Sequence, residues 1–150
     1  MNEIQYIQKH GAKKVRYPAY GRLTDHLQED GFTGDLDALI RLISACEMVE
    51  LLGGYEEAKK EFAEQLNADK PYPNETENNK QILLDYRRAN NIFEMDDYII
   101  HDGELKVFAM WSTAIKGCAY IGYAYAEDGE MAEKDEFRHA TDQEIKSKLK

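Results

Sequence analysis

The chain has few cysteines and prolines and no long apolar run. Only two cysteines and three prolines occur among its 150 residues. Cys46 and Cys118 lie far apart, so a disulfide framework is not expected and both are interpreted as reduced thiols. A membrane-spanning helix would need about 18 or more consecutive apolar residues, and the sequence contains no such run. The first residues also lack the apolar centre of a secretory signal, so we predict a cytoplasmic protein.

The motifs of common enzyme and cofactor sites are absent from the sequence as well. It contains no P-loop, no G-x-S-x-G and no G-x-G-x-x-G. The histidines lack metal-ligand spacing and the acidic segments do not match a calcium loop, so no cofactor or metal is predicted. Two residues keep a hydrolase open as a second alternative. His101 beside Asp102 could serve as a general base, and Cys118 could serve as a nucleophile with a distant histidine.

What the sequence does have is a strong asymmetry of charge. Residues 1–22, the basic arm, carry five basic residues and one acid, whereas residues 23–150 carry 14 basic and 28 acidic residues. The net charge of −10 therefore divides into an arm of +4 and a body of −14. A negative body repels nucleic acids and anionic membranes, which are themselves negatively charged. We therefore expect a basic protein as the partner, and neither nucleic acid bound directly by the acidic body nor a membrane.

Helical spacing of apolar residues dominates the N-terminal half. It predicts three main helices, at residues 36–52, 55–66 and about 77–89. In the basic arm, residues 13–22 are expected to be irregular or extended because they contain a proline and a glycine. Residues 68–79 have the composition of a loop and are the best candidate for an internal boundary within a single domain of residues 1–150.

The period of the pattern changes to two near residue 98, which is typical of strands. Strands are predicted at residues 98–101, 104–111 and 118–126, with an edge strand in the stretch up to 139. Strict alternation would place Trp111 on one face with Leu105 and Val107, and Met110 on the other with Phe108. A T-x-x-E capping box then opens a C-terminal helix. The fold prediction is α+β: a helix hairpin and a third helix packed on a three- to four-stranded antiparallel meander with a C-terminal helix.

The leading functional hypothesis rests on the acidic C-terminal half. Residues 127–136 hold six acids in ten positions beside a predicted sheet edge, where carboxylates could imitate a phosphate backbone. A half-exposed tyrosine face nearby would add contact area. The predicted partner-binding residues are Glu127, Asp128, Glu130, Glu133, Asp135, Glu136, Tyr123 and Tyr125. The expected function is a non-enzymatic inhibitor or regulator of a basic, nucleic-acid-handling protein, of the kind that phages or mobile elements encode. The competing interpretation is that these charges only protect the edge from aggregation.

The first alternative is a small-ligand binder that uses the basic arm. Cations interleaved with tyrosines suit phosphate contact combined with ring stacking, as in a nucleotide-like anion. The predicted anion-binding residues are Lys13, Lys14, Arg16, Tyr17, Tyr20 and Arg22. The competing interpretation is that this arm folds onto the acidic body of its own chain.

Overall fold

The fold is α+β, as predicted from the sequence. A computed structural model describes residues 1–21, 24–66, 73–124 and 129–149. The chain divides into two compact units, Met1–Asn90 and Asn91–Lys150. The first unit holds the helical N-terminal half, and the second holds a five-stranded antiparallel sheet followed by the C-terminal helix. The sheet has one strand more than the upper limit of the prediction.

The first unit is built from six helices within the described residues. They are α1 (Glu3–His10), α2 (Ala12–Tyr20), α3 (Thr24–Glu29), α4 (Leu36–Leu51), α5 (Tyr55–Leu66) and α6 (Pro73–Asn90). The helices predicted at 36–52 and 55–66 are confirmed as α4 and α5. The third predicted helix is confirmed as α6, which begins at Pro73, earlier than expected.

Helix α4 is the centre of this unit, and six of its residues are buried: Leu39, Leu42, Ile43, Ala45, Cys46 and Val49. The Asp35 side chain accepts a hydrogen bond from the Asp37 amide at 2.9 Å, which fixes the first turn. Behind this cap, α4 packs against α1, α2 and α6. The main core cluster comprises Ile4, Tyr6, Ile7, Val15, Ala19, Leu27, Phe32, Leu39, Leu42, Ile43, Cys46 and Ala89.

The basic arm is helical where an irregular segment was predicted, so that prediction is wrong for residues 13–20. Helix α2 includes Pro18 in its interior. A proline there removes one hydrogen bond to the carbonyl four residues earlier. Val15 and Ala19 lie four positions apart on one side of α2, and both are buried in the core cluster. Tertiary packing of that apolar side therefore outweighs the local cost of the proline.

The second unit is a meander in which the last strand returns to pair with the first. Its strands are β1 (Tyr98–His101), β2 (Glu104–Trp111), β3 (Cys118–Gly122), β4 (Gly129–Glu133) and β5 (Phe137–His139). All neighbours are antiparallel, in the spatial order β4-β3-β2-β1-β5. The predicted third strand ends earlier than expected, at Gly122, and the predicted edge strand is two strands that lie at opposite edges of the sheet.

This sheet is strongly curled. Glu133 ends β4 and Phe137 begins β5, so their Cα atoms are at most about 14 Å apart. Along the sheet, however, β4 and β5 are separated by four strand spacings, or about 19 Å. The two edges must therefore bend toward each other. The concave face holds the second core, which comprises Phe93, Ile99, Phe108, Ala119, Ile121, Ala132 and Phe137.

A β-bulge in β2 changes which side chains face this core. Phe108 pairs with Ile121, and Met110 pairs with Tyr120, the residue next to Ile121, which leaves Ala109 as the extra residue. Trp111 consequently lies on the concave face, with its ring 5.3 Å from that of Phe108. The alternation predicted from the sequence was wrong at Trp111 and Met110 because it assumed an unbroken period of two.

The C-terminal helix α7 (Asp142–Lys148) begins at the predicted capping box. The Glu144 amide donates to the Thr141 hydroxyl at 3.1 Å, and the Thr141 amide donates to the Glu144 carboxylate at 3.0 Å. Arg138 of β5 forms two hydrogen bonds with that carboxylate, at 2.8 and 2.6 Å. The bidentate pair ties α7 to the convex face of the sheet, because Arg138 lies opposite Ile100 in the register and away from the core.

Candidate functional site

The best-defined polar site is at the β1–β2 hairpin end of the concave face. His101 and Lys106 are each only 5% exposed there, and Lys106 Nζ lies 2.8 Å from His101 Nδ1. An ammonium group can only donate, so Nδ1 accepts this hydrogen bond and is unprotonated in this arrangement. The contact therefore fixes the imidazole as the Nε2–H tautomer.

Carboxylates from three segments surround this buried pair. His101 Nδ1 lies 3.6 Å from Asp102 Oδ2 and 3.5 Å from Glu130 Oε1, and its Nε2 lies 3.9 Å from Glu136 Oε2. Glu130 also forms a short hydrogen-bonded ion pair with Lys106. The hydrogen bond from Lys106 is the main reason that the pKa of Glu130 lies below its ordinary value.

Tyr123 closes this group from the end of β3. Its hydroxyl donates to the Glu104 carboxylate, and its ring centroid lies 5.3 Å from Lys106 Nζ, within range of a cation–π interaction. The structure therefore brings two of the predicted partner-binding residues, Glu130 and Tyr123, into contact with Lys106. Lys106 was not singled out from the sequence, where its position among alternating apolar residues was the only signal.

The other acids among the predicted partner-binding residues differ in their contacts. The Glu136 carboxylate accepts a hydrogen bond from the Glu133 amide at 3.0 Å and so holds the turn between β4 and β5. The Glu133 and Asp135 side chains are exposed and form no ion pair with another described residue. Three further predicted partner-binding residues, Tyr125, Glu127 and Asp128, lie outside the described residues.

The catalytic alternative gains no geometric support. Among the described residues, His101 has Lys106 as its hydrogen-bond partner and the three carboxylates at 3.5 to 3.9 Å. Its Nδ1 lone pair is occupied, so a substrate proton would have to displace Lys106. Cys118 is half-buried at the start of β3, where its register partner is Glu133 rather than a histidine.

The predicted anion-binding residues of the basic arm lie on α2 in the first unit. Lys13, Lys14 and Tyr17 are exposed. Arg16 Nε forms an ion pair with Glu47 Oε1 at 2.9 Å, and the Tyr20 hydroxyl lies 3.0 Å from the Ser44 hydroxyl. Both contacts are to α4, so this part of the arm lies against a helix of its own unit. Arg22 lies outside the described residues.

Sequence reasoning also missed a small cavity between α4 and α6. Its volume is about 220 Å³, and it is lined by Arg41, Ser44, Ala45, Met48, Asn78, Gln81, Ile82 and Asp85. Asp85 is fully buried and accepts hydrogen bonds from Arg41 Nε at 2.8 Å and from Gln81 at 3.0 Å. Burial raises the pKa of Asp85, although the charges of Arg41 and Arg88 act in the opposite direction. Because Arg41 lies on α4 and Asp85 lies on α6, we interpret the network as a buried link between the two helices.

Comparison with known proteins assigns no function to this chain. No family model, curated protein or solved structure matches this chain. In the described part of the chain, histidine, cysteine and acidic side chains do not form a group of three or more that could hold a metal ion. Of the helices described, none is both long enough and apolar enough to cross a membrane.

Proposed function

We propose that this chain is a small, non-enzymatic, acidic protein of the cytoplasm that binds a basic protein partner through the second unit. The observation that carries the proposal is the convergence of carboxylates at the hairpin end of the sheet. Asp102, Glu130 and Glu136 come from three segments and surround the buried His101, while Lys106, whose ammonium is paired with Glu130, is the buried cation in contact with it. Carboxylates therefore outnumber cations at this end, and their outer faces remain accessible.

The charge of the unit extends this surface. Residues 91–150 contain 13 acidic and 7 basic residues. Exposed Glu133 ends β4, exposed Asp135 lies in the turn that follows, and both extend the acidic surface along this edge. A row of carboxylates at a sheet edge presents negative charge to a groove that normally holds a nucleic-acid backbone. The proposed partner is accordingly a nucleic-acid-handling protein with a basic groove, and the proposed role is its inhibition or regulation, as in accessory proteins of phages and mobile elements.

The structure shows which acids can test this proposal. Reversal of Glu130 or Glu136 would disturb the contacts of His101 and Lys106, so loss of binding would be ambiguous. Glu133→Lys combined with Asp135→Lys changes only exposed side chains. The matched control is Glu61→Lys with Glu64→Lys on α5, which changes the net charge by the same amount at exposed positions of the first unit.

The experiment is affinity purification of the full chain from host lysate at low and high salt. We expect a basic protein to co-purify at low salt, to be lost at high salt and with E133K/D135K, and to be retained with E61K/E64K. Retention of that protein by E133K/D135K would show that the acidic surface is not the binding site. If both double variants lost the co-purified protein equally, the interaction would be a general charge attraction and not binding at the acidic surface.

A further inference from the structure

The convex face of the sheet carries a row of apolar side chains that lie next to one another across three strands. Met110 of β2 pairs directly with Tyr120 of β3, and Tyr120 pairs directly with Met131 of β4. Directly opposed residues of antiparallel strands project to the same side, so the three side chains form one ladder. They are 52%, 40% and 41% exposed, respectively.

Helix α7 lies on this convex face but covers another part of it. Its ties are to β5 through Arg138 and Glu144, and to the β1–β2 turn through Lys148 Nζ and the Gly103 carbonyl at 2.9 Å. A helix is about 10 Å across, and seven residues of helix are about 10 Å long, whereas the sheet extends about 19 Å from its first to its last strand. The part of the face over β3 and β4 therefore remains uncovered by α7.

The charge of the chain indicates which kind of partner can cover this apolar row. A second copy of the chain would bring two molecules of net charge −10 together, which opposes association. Glu133 lies two residues beyond Met131 on the same face of β4, opposite Cys118, and exposed Asp135 follows it. The apolar row is thus bordered by Glu133 at the β4 edge of a unit that has 13 acidic and 7 basic residues, and a partner with an apolar stripe beside basic residues is complementary to it.

We propose that the ladder of Met110, Tyr120 and Met131 is the docking site for a basic amphipathic helix of the partner. The inference rests on the proposed function and names the element by which the basic partner binds. A helix laid beside α7 would complete the helical layer on this face of the sheet. Methionine side chains are unbranched and adaptable, which suits a surface that packs against a helix.

Methionine methyl groups provide a direct test, because the chain has five methionines and only two of them are in the ladder. The full chain is labelled with ¹³C at the methionine methyl groups and titrated with a synthetic helical peptide of about 14 residues, built from leucine on one face and lysine on the other. We expect the Met110 and Met131 signals to shift, and those of Met48 and Met95 to stay in place. The same peptide with glutamate in place of lysine should not bind.

Matched variants separate the ladder from the general charge of the unit. Met110→Thr with Met131→Thr keeps strand-compatible residues at exposed positions, so we expect the fold to be retained. Peptide binding should weaken about tenfold or more, because the central apolar anchors are removed. Met95→Thr, at a position 71% exposed in the same unit, should bind as the parent does.

Each outcome decides between the ladder and the acidic surface. If the lysine peptide leaves the Met110 and Met131 signals unchanged, or if M110T/M131T binds as tightly as M95T, the ladder proposal is wrong. Equal binding of the glutamate peptide would also overturn it, since the basic residues would then contribute nothing. The proposed function is tested separately by E133K/D135K, and it would survive a failure of the ladder if that variant alone lost the co-purified partner.

Discussion

At the scale of single residues, the two thiols are in different environments. Cys46 is buried in the core of the first unit, and this burial raises the pKa of its thiol to about 11. Cys118 is half-buried at the start of β3. Because only the thiolate reacts, a shift of this size lowers the reactive fraction at pH 8 by roughly two orders of magnitude relative to an ordinary cysteine.

We therefore predict that Cys118 is modified much faster than Cys46 in the native protein. Cys46→Ser and Cys118→Ser each leave one thiol, and an aromatic disulfide reagent at pH 8 measures its rate of modification. The variant that retains Cys46 should react about 100-fold or more slowly until denaturant is added, since burial also blocks access. Similar native rates for the two variants would contradict the buried position of Cys46.

Glu130 shows how one carboxylate of the candidate site is linked to stability. Its pKa in the folded state is lowered, mainly by the hydrogen bond from Lys106, whereas an unfolded glutamate keeps a pKa of about 4.3. The folded protein therefore stabilises the ionised form of Glu130. Its contribution to stability is fully present above the unfolded-state pKa and is lost as the pH falls through the folded-state pKa.

The corresponding prediction compares Glu130→Gln with Glu133→Gln. Both remove one negative charge from β4, but only Glu130 contacts Lys106. Urea unfolding, followed by the fluorescence of the single tryptophan, Trp111, should show a loss of stability for E130Q at pH 7 and little change for E133Q. The difference between the two variants should shrink as the pH falls below 4. A difference that does not depend on pH would exclude the ion pair as its cause.

At the scale of elements, helices and strands were predicted most accurately from the sequence where the local pattern and the tertiary packing agree. Helix α4 has an aspartate cap and an apolar stripe, and it begins and ends close to the predicted positions. Helix α2 was missed because Pro18 opposes a helix locally, while the burial of Val15 and Ala19 depends on α4, which local sequence does not reveal. The bulge at Ala109 was missed for a similar reason: it depends on pairing with β3.

Helix α7 allows a test of its capping box. Burial alone would raise the pKa of Glu144, but hydrogen bonds from Arg138 and from the Thr141 amide more than offset it, and the pKa is lowered. Thr141→Ala removes the hydroxyl that accepts from the Glu144 amide and should lower the free energy of unfolding by about 1 kcal/mol. Thr141→Ser keeps that hydroxyl and should be close to the parent. Urea titrations of both variants measure the difference, and equal losses would contradict the cap.

At the scale of the whole molecule, charge composition was readable from the sequence but the arrangement of the candidate site was not. Six acids in ten residues marked the segment 127–136 in advance. Within it, Glu130 holds Lys106 while Glu133 and Asp135 face outward, and this division depends on the curl of the sheet, which brings Glu130 of β4 within 3.5 Å of His101 on β1. Those two strands are three positions apart in the sheet, and no local pattern predicts their contact.

The two units have separate core clusters, and this separation leads to the last prediction. Leu39 is fully buried in the first unit, and its truncation in Leu39→Ala should cost about 2–5 kcal/mol. Ile99 is equally buried in the second unit, and Ile99→Ala should cost a comparable amount there. Amide hydrogen exchange then locates each effect. We expect L39A to lower the protection of α4 and leave β1 and β2 unchanged, and I99A to do the reverse.

Leu51→Ala on the same helix is the control for L39A, because Leu51 is exposed and its truncation should change stability by no more than about 0.5 kcal/mol. If L39A and I99A lowered protection equally across both units, the chain would unfold as one cooperative domain although the units have separate cores. If each effect stays within its own unit, binding through the second unit does not require the first to be intact. The E61K/E64K control on α5 would then report on general charge alone, since it could not act through the folding of the acidic surface.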